Sequence, residues 1–138
     1  MRIEELSVGD WVCAKLAKWE SGDADMTPPL QVKRINGIER HNLYVELFNP
    51  TNNTIEHSAF VEDLIPIPIT PEILEKNGIN KTYDSDEYAV YKGEGFNVND
   101  YYTELWEFSL RRNRVMLKNV HELQHALRLA GIEKEIEV

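Results

Sequence analysis

At 138 residues, 42% hydrophobic and 28% charged, the chain has the size and composition of one ordinary globular domain or two very small ones, and not of a disordered segment. Its net charge of −9, from 24 acidic and 15 basic side chains, excludes nucleic acid and anionic membrane as expected partners, because both call for a basic face. The single cysteine, Cys13, excludes an internal disulfide and a cysteine-rich zinc site, and its place in the apolar run WVCAKL reads as a small buried side chain.

The opening MRIEELSVGD lacks a long apolar core, so it is not read as a signal peptide. No segment reaches the length of a membrane-spanning helix, and the expected location is the cytoplasm. Ile3, Leu6 and Val8 form an apolar lead-in, and Gly9-Asp10 supplies a turn before a strand at 11–16. LQVKRI at 30–35, LYVELF at 43–48 and TIEHSAF at 54–60 read as further strands. LYVELF is the cleanest, with Leu43, Val45 and Leu47 alternating against Tyr44, Glu46 and Phe48. LIPIPI at 64–69 is extended, and Pro66 and Pro68 confine it to an edge. Turn clusters at 36–42 and 49–54 and a longer polar loop at 20–29 separate the strands. Short strands at roughly ten-residue spacing predict an SH3-like small β-barrel over 1–69.

The pattern changes at Thr70. This residue is a good N-cap, Pro71 suits the first helical position, Glu72 meets the positive end of the dipole and Gly78 stops a short helix. A strand follows near 87–92, preceded by Asp84, Asp86 and Glu87, which read as a solvated acidic turn because the rest of a calcium loop is missing. Gly93-Glu94-Gly95 is a turn. TELWEFSLRRNRVMLKN predicts a hairpin turning at Arg112-Asn113, with Leu110 opposite Val115 and Phe108 opposite Leu117. Arg111, Arg112 and Arg114 cluster at its tip, a solvated end or an anion-binding spot. Asn119 caps a final helix from Val120 to about Ala130, ended by Gly131. The expected class is α+β: the barrel of 1–69, then a helix–hairpin–helix part over 70–138.

The last helix contains HELQH, the spacing with which zinc peptidases place two imidazoles one turn apart beside a glutamate base. His121 and His125 would be the ligands and Glu122 the base. Val120, Leu123, Ala126, Leu127 and Ala130 share the opposite, apolar face, so a helix packed by that stripe turns both histidines outward. A catalytic zinc also needs a third ligand. Only Glu133, Glu135 and Glu137 follow, in a charged tail, and His41 or His57 would have to come from upstream. The expectation is a structural helix, no metal and no cofactor, with the peptidase as an alternative.

IEELSVGDWV, PIPITPEILEKNGI and VHELQHALRLAGIEKEIEV together resemble a family of small uncharacterised proteins of gut anaerobes, their prophages and mobile elements. The family's last helix has the form VHxLQNLYFALTG, with Asn where this chain has His125. The resemblance implies that the helix is structural, and it implies a phage or mobile-element context without naming an activity. Here HALRLAG replaces a more aromatic segment.

The expected function is a non-enzymatic protein-binding or assembly module with a protein partner; the sequence is silent on oligomeric state. Tyr88, Tyr91, Phe96, Tyr101 and Tyr102, with Trp106, exceed what a small core needs, and they are either core packing or a recognition surface. A second expectation is an acidic inhibitor that occupies a basic site on a host defence or nucleic-acid-handling factor by charge complementarity.

Overall fold

The computed structural model describes residues 1, 5–16, 26–39 and 42–138. The chain divides into two compact units, Met1–Ile67 and Pro68–Val138. Each is built on a five-stranded antiparallel sheet, and the second also carries two helices, so the molecule is α+β with sheet predominating.

In the first unit the strands are β1 (Trp11–Ala14), β2 (Leu30–Glu39), β3 (Asn42–Asn49), β4 (Thr54–Phe60) and β5 (Leu64–Pro66), with one 3-10 turn, Val61–Asp63, before the last. Their order is β4-β3-β2-β1-β5. The alternation in β3 sends Val45 and Leu47 into a core shared with Leu6, Val12, Ala14, Leu30, Val32, Ala59, Val61 and Leu64. Entry to β1 depends on Gly9, whose φ of +94° lets its N–H donate to the Val32 carbonyl at 2.7 Å. Asp10 is fully buried and its carboxylate accepts from the Ser7 N–H at 2.8 Å, which closes the turn. The proline-bearing β5 is an edge strand, as its missing donors require. Most of the loop at 20–29 lies outside the described residues. Where the chain returns, Thr27 is buried and exchanges two hydrogen bonds with the Ala14 backbone.

The second unit opens with α1 (Pro71–Lys76). Thr70 Oγ1 accepts from the Ile73 N–H at 3.2 Å, and Pro71 occupies the first turn. Gly78, at φ +74°, ends the helix while the Ile79 N–H returns to the Leu74 carbonyl. Then come β6 (Asn80–Asp84), β7 (Ala89–Lys92), β8 (Asn97–Asp100), β9 (Trp106–Leu110), β10 (Asn113–Leu117) and α2 (Val120–Leu129), the strands pairing in sequence order from β6 to β10. One sheet face is apolar: Ala89, Tyr91, Val98, Trp106, Phe108 and Leu117 are buried, as are Leu123 and Leu127 of α2. Tyr91 meets Trp106 with ring centroids 5.6 Å apart, and Phe96 stacks on Phe108 at 5.4 Å.

Two features differ from the sequence expectation. The second sheet has five strands rather than a hairpin and one further strand, because β6 and β8 read NKTYD and NVND and carry little apolar alternation. The hairpin turns at Arg111-Arg112, so Leu110 pairs with Asn113, Phe108 with Val115 and Trp106 with Leu117. Arg111, not Asn113, takes the left-handed conformation, at φ +55°. The observed register is two residues from the expected one, an even shift. Every side chain therefore stays on its expected face, and hydrophobic patterning cannot distinguish the two registers.

Residues 132–138 are held to the unit by Asn77. Its side-chain amide donates to the Ile73 and Glu137 carbonyls, each at 2.7 Å, and its oxygen accepts from the Glu137 N–H at 2.8 Å. Ile136 is buried beside this clamp in the sequence. Asn77→Ala strands a buried donor and acceptor, and the expected loss is about 1–3 kcal/mol in urea unfolding. Hydrogen exchange at Glu137 is expected to accelerate more than at the centre of β8; equal acceleration at both would refute the clamp.

Candidate functional site: the tyrosine-lined face of the second sheet

The sheet face opposite the aromatic core carries a polar row that crosses all five strands. Tyr83 of β6 pairs with Val90 of β7, Val90 with Asn99 of β8, Asn99 with Glu107 of β9, and Glu107 with Met116 of β10. Directly paired residues share a face, so this row follows from the register alone. Within it, on β9, Glu107 is only 9% exposed. Its Oε1 accepts from the Asn99 amide at 3.0 Å and from the Tyr101 hydroxyl at 3.0 Å, and Arg114 approaches to 4.0 Å. A carboxylate this deep is tolerated because donors surround it.

Tyrosines assemble over one end of this row. Tyr83 and Tyr88 lie with centroids 5.2 Å apart, and Tyr88 and Tyr101 at 6.0 Å. The Tyr102 hydroxyl donates to Asp84 at the end of β6. Tyr102 sits at φ +60°, unusual for a tyrosine, and its N–H donates to the Asp100 carboxylate at 2.8 Å, which holds the turn. Tyr83, Tyr101 and Tyr102 are exposed and Tyr88 is half-buried. Three rings from three segments, those of Tyr83, Tyr88 and Tyr101, thus gather on this face beside Glu107, whereas Asp84 pairs with Ala89 of the apolar face and the Tyr102–Asp84 bond lies on that other side.

The sequence candidates separate cleanly. Tyr88 and Tyr101 stand at this surface, and Tyr102 is exposed but tied to Asp84 on the other side of the sheet. Tyr91 and Phe96 are not at this surface: they are buried on the opposite face, Tyr91 against Trp106 and Phe96 against Phe108. A Cβ at Gly93 would run into the Phe96 ring, so that glycine marks close packing. Tyr83 belongs to the surface but went unnoticed because its strand is polar throughout. Arg111, Arg112 and Arg114 are exposed at the β9–β10 turn and along β10, as expected of the tip cluster.

The HELQH helix corrects one expectation. His125 is half-buried, but His121 is buried at 3% exposure, not turned to solvent. The two rings meet edge-on with centroids 5.7 Å apart. A helical wheel assigns exposure from the apolar stripe alone. Here the start of α2 adjoins a second stretch of chain: Pro68 bridges to Asn119 and the Ile69 N–H donates to the Lys118 carbonyl. Glu122 is engaged at the helix cap, where its Oε1 accepts from the Asn119 N–H at 3.0 Å, the Asn119 amide at 3.2 Å and the Lys118 N–H at 3.3 Å. Among the described residues, no group of three His, Cys, Asp or Glu side chains is gathered to hold a metal. His41 lies outside the described residues. Cys13 is buried, and burial pushes its thiol up, away from the reactive thiolate.

No helix of the described residues is long and apolar enough to cross a membrane. Comparison with protein-family models, with curated proteins and with solved structures yields no match to the chain.

The Tyr102–Asp84 pair gives this end of the second sheet a spectroscopic mark. Hydrogen bonding to Asp84, followed by desolvation, pushes the Tyr102 hydroxyl up from 10.0 to about 12, and the same bond lowers the Asp84 carboxyl. A raised acid favours the folded state while it stays protonated. The contribution is therefore complete below pH 10 and is lost as pH rises through about 12. On the acid side Asp84 contributes above its ordinary 3.8, and that contribution is lost as pH falls through its lowered value. Tyrosinate absorbance should show a late step that disappears in Tyr102→Phe and moves down toward 10 in Asp84→Asn. An unchanged titration in Asp84→Asn would remove the hydrogen bond from the account.

Proposed function

We propose that the chain is a non-enzymatic protein-binding or assembly module, in the phage or mobile-element context implied by its sequence resemblance. Its binding face is the tyrosine cluster of the second sheet. The observation that carries this reading is the grouping of Tyr83, Tyr88 and Tyr101 on one face, with Asp86 and Glu87 in the turn between the first two. Rigid aromatic rings supply contact area at low entropic cost, and acids at their margin favour a cationic partner. The partner is a protein segment bearing arginine or lysine, whose cation lies over a ring face while neighbouring carboxylates supply the opposite charge. The chain already makes one such contact internally, with Lys81 Nζ 5.7 Å from the Tyr91 centroid.

The first unit is proposed as an SH3-like barrel that serves as scaffold. Supporting this are the strand order β4-β3-β2-β1-β5 and the single 3-10 turn between β4 and β5. The partner is not assigned to it, since fold alone does not fix function.

Peptides of equal positive charge, with arginine either flanked by apolar residues or dispersed among glycines, test the face by fluorescence anisotropy. The flanked arginine peptides are expected to bind, and Tyr83→Ser with Tyr101→Ser to weaken them about tenfold, or about 1.4 kcal/mol. Binding that is indifferent to both tyrosines, or no binding to any cationic peptide, would remove the face as the site.

The same reading makes HELQH a structural segment, with Glu122 committed to its cap. Untagged protein is expected to carry no stoichiometric zinc, and a chelator to leave its melting temperature unchanged. Zinc at one equivalent together with a chelator-induced fall in melting temperature would restore the peptidase alternative.

A further inference from the structure

The two sheets present four edge strands, β4 and β5 in the first and β6 and β10 in the second. Three are blunted. β4 has a register shift against β3 and β6 one against β7, while β5 carries Pro66. β10 differs. It pairs with β9 through five consecutive residues without a shift, and Asn113, Arg114, Val115 and Met116 are all exposed. In a two-residue hairpin closed at Leu110–Asn113, the groups of Asn113, Val115 and Leu117 serve the ladder with β9. Those of Arg114 and Met116 face away from it.

The side chains along this edge are of one sign. Arg111 and Arg112 precede β10, Arg114 lies within it and Lys118 follows it, in a chain whose net charge is −9. Arg114 and Lys118 approach Glu107 and Glu104, but Arg111 and Arg112 make no ion pair among the described residues. Val115 and Met116, 47% and 46% exposed, add an apolar centre with one side chain on each face.

We propose that the outer edge of β10 accepts an extended acidic peptide segment as a sixth, antiparallel strand. Backbone hydrogen bonds to Arg114 and Met116 supply the docking, and the side chains set the choice of partner. The matching strand carries apolar residues opposite Met116 and Val115 and acids opposite Arg114 and Arg112, and its pairing ends short of Lys118, whose carbonyl already accepts from the Ile69 N–H. A second copy of the chain fits poorly: antiparallel self-pairing about Val115 brings the arginine end of one strand against the lysine end of the other. This surface is distinct from the tyrosine cluster, so either proposal can fail without the other.

The probe is the blocked peptide ETVIETE, titrated into the full chain and followed by backbone amide NMR. Saturable shifts centred on 113–117 are expected, with no binding of KTVIKTK. Methylation of alternate peptide nitrogens removes the donors but not the charge and should weaken binding at least about tenfold, as should Arg112→Glu with Arg114→Glu. The tyrosine substitutions above should leave it unchanged. Three results would overturn the proposal: no binding at about 1 mM peptide, a methylated peptide that binds as well as its parent, or shifts lying outside β10. A single-stranded oligonucleotide of equal charge that displaces the peptide from β10 and binds it more tightly would overturn it as well, in favour of simple anion attraction.

Discussion

The carboxylate of Glu107 is the constraint around which the open face of the second sheet is organised. It sits near the start of β9, nearly out of water, and a buried carboxylate is stable only while donors are held against it. Asn99 and Tyr101 meet it from the β8 side and Arg114 approaches from β10. One acid therefore fixes a tyrosine at one surface and orients an arginine at another. Replacing it with an apolar residue would release both, whereas a glutamine would keep part of the geometry and lose the charge.

The arrangement gives the second unit two unlike faces on one thin scaffold. The apolar face is packed by Tyr91, Trp106, Phe96 and Phe108, with Leu123 and Leu127 of α2 also buried, and it supplies stability. The polar face has no comparable cover from the described elements of its own unit, and its large side chains are tethered by hydroxyls rather than by packing. Tyr101, for one, is tied to Glu107. Such tethers hold rings in place while leaving their flanks in contact with water, which suits rings that meet a partner.

Where the sequence carried strong periodicity or specific end signals, it was legible. The alternation of β3, the cap at Thr70, the proline-restricted edge at β5 and the apolar stripe of α2 all correspond to elements of the structure. What escaped was information of other kinds. β6 and β8 are polar strands recruited by their neighbours, so no local pattern announces them. The hairpin register was ambiguous by an even shift that pattern cannot resolve. His121 is buried at the start of a helix where chain from elsewhere converges, a tertiary effect outside any helical wheel. Of the five proposed aromatics, Tyr88 and Tyr101 line the candidate site, Tyr102 is exposed on the other side of the sheet, and Tyr91 and Phe96 are in the core, a division that depends on strand facing and therefore on β6 and β8.

The bonds of Asn77 to Glu137 also set an order of events during synthesis. They join positions 60 residues apart, whereas paired residues of β2–β3 and β3–β4 in the first unit's meander lie no more than 17 positions apart, as Gln31 and Phe48 do. That meander can form as it leaves the ribosome. The second unit reaches its final closure only after residue 137 has emerged. Until then, α1 ends in an asparagine whose amide has lost two of its three partners, and the translating chain carries a completed neighbour beside an unfinished one.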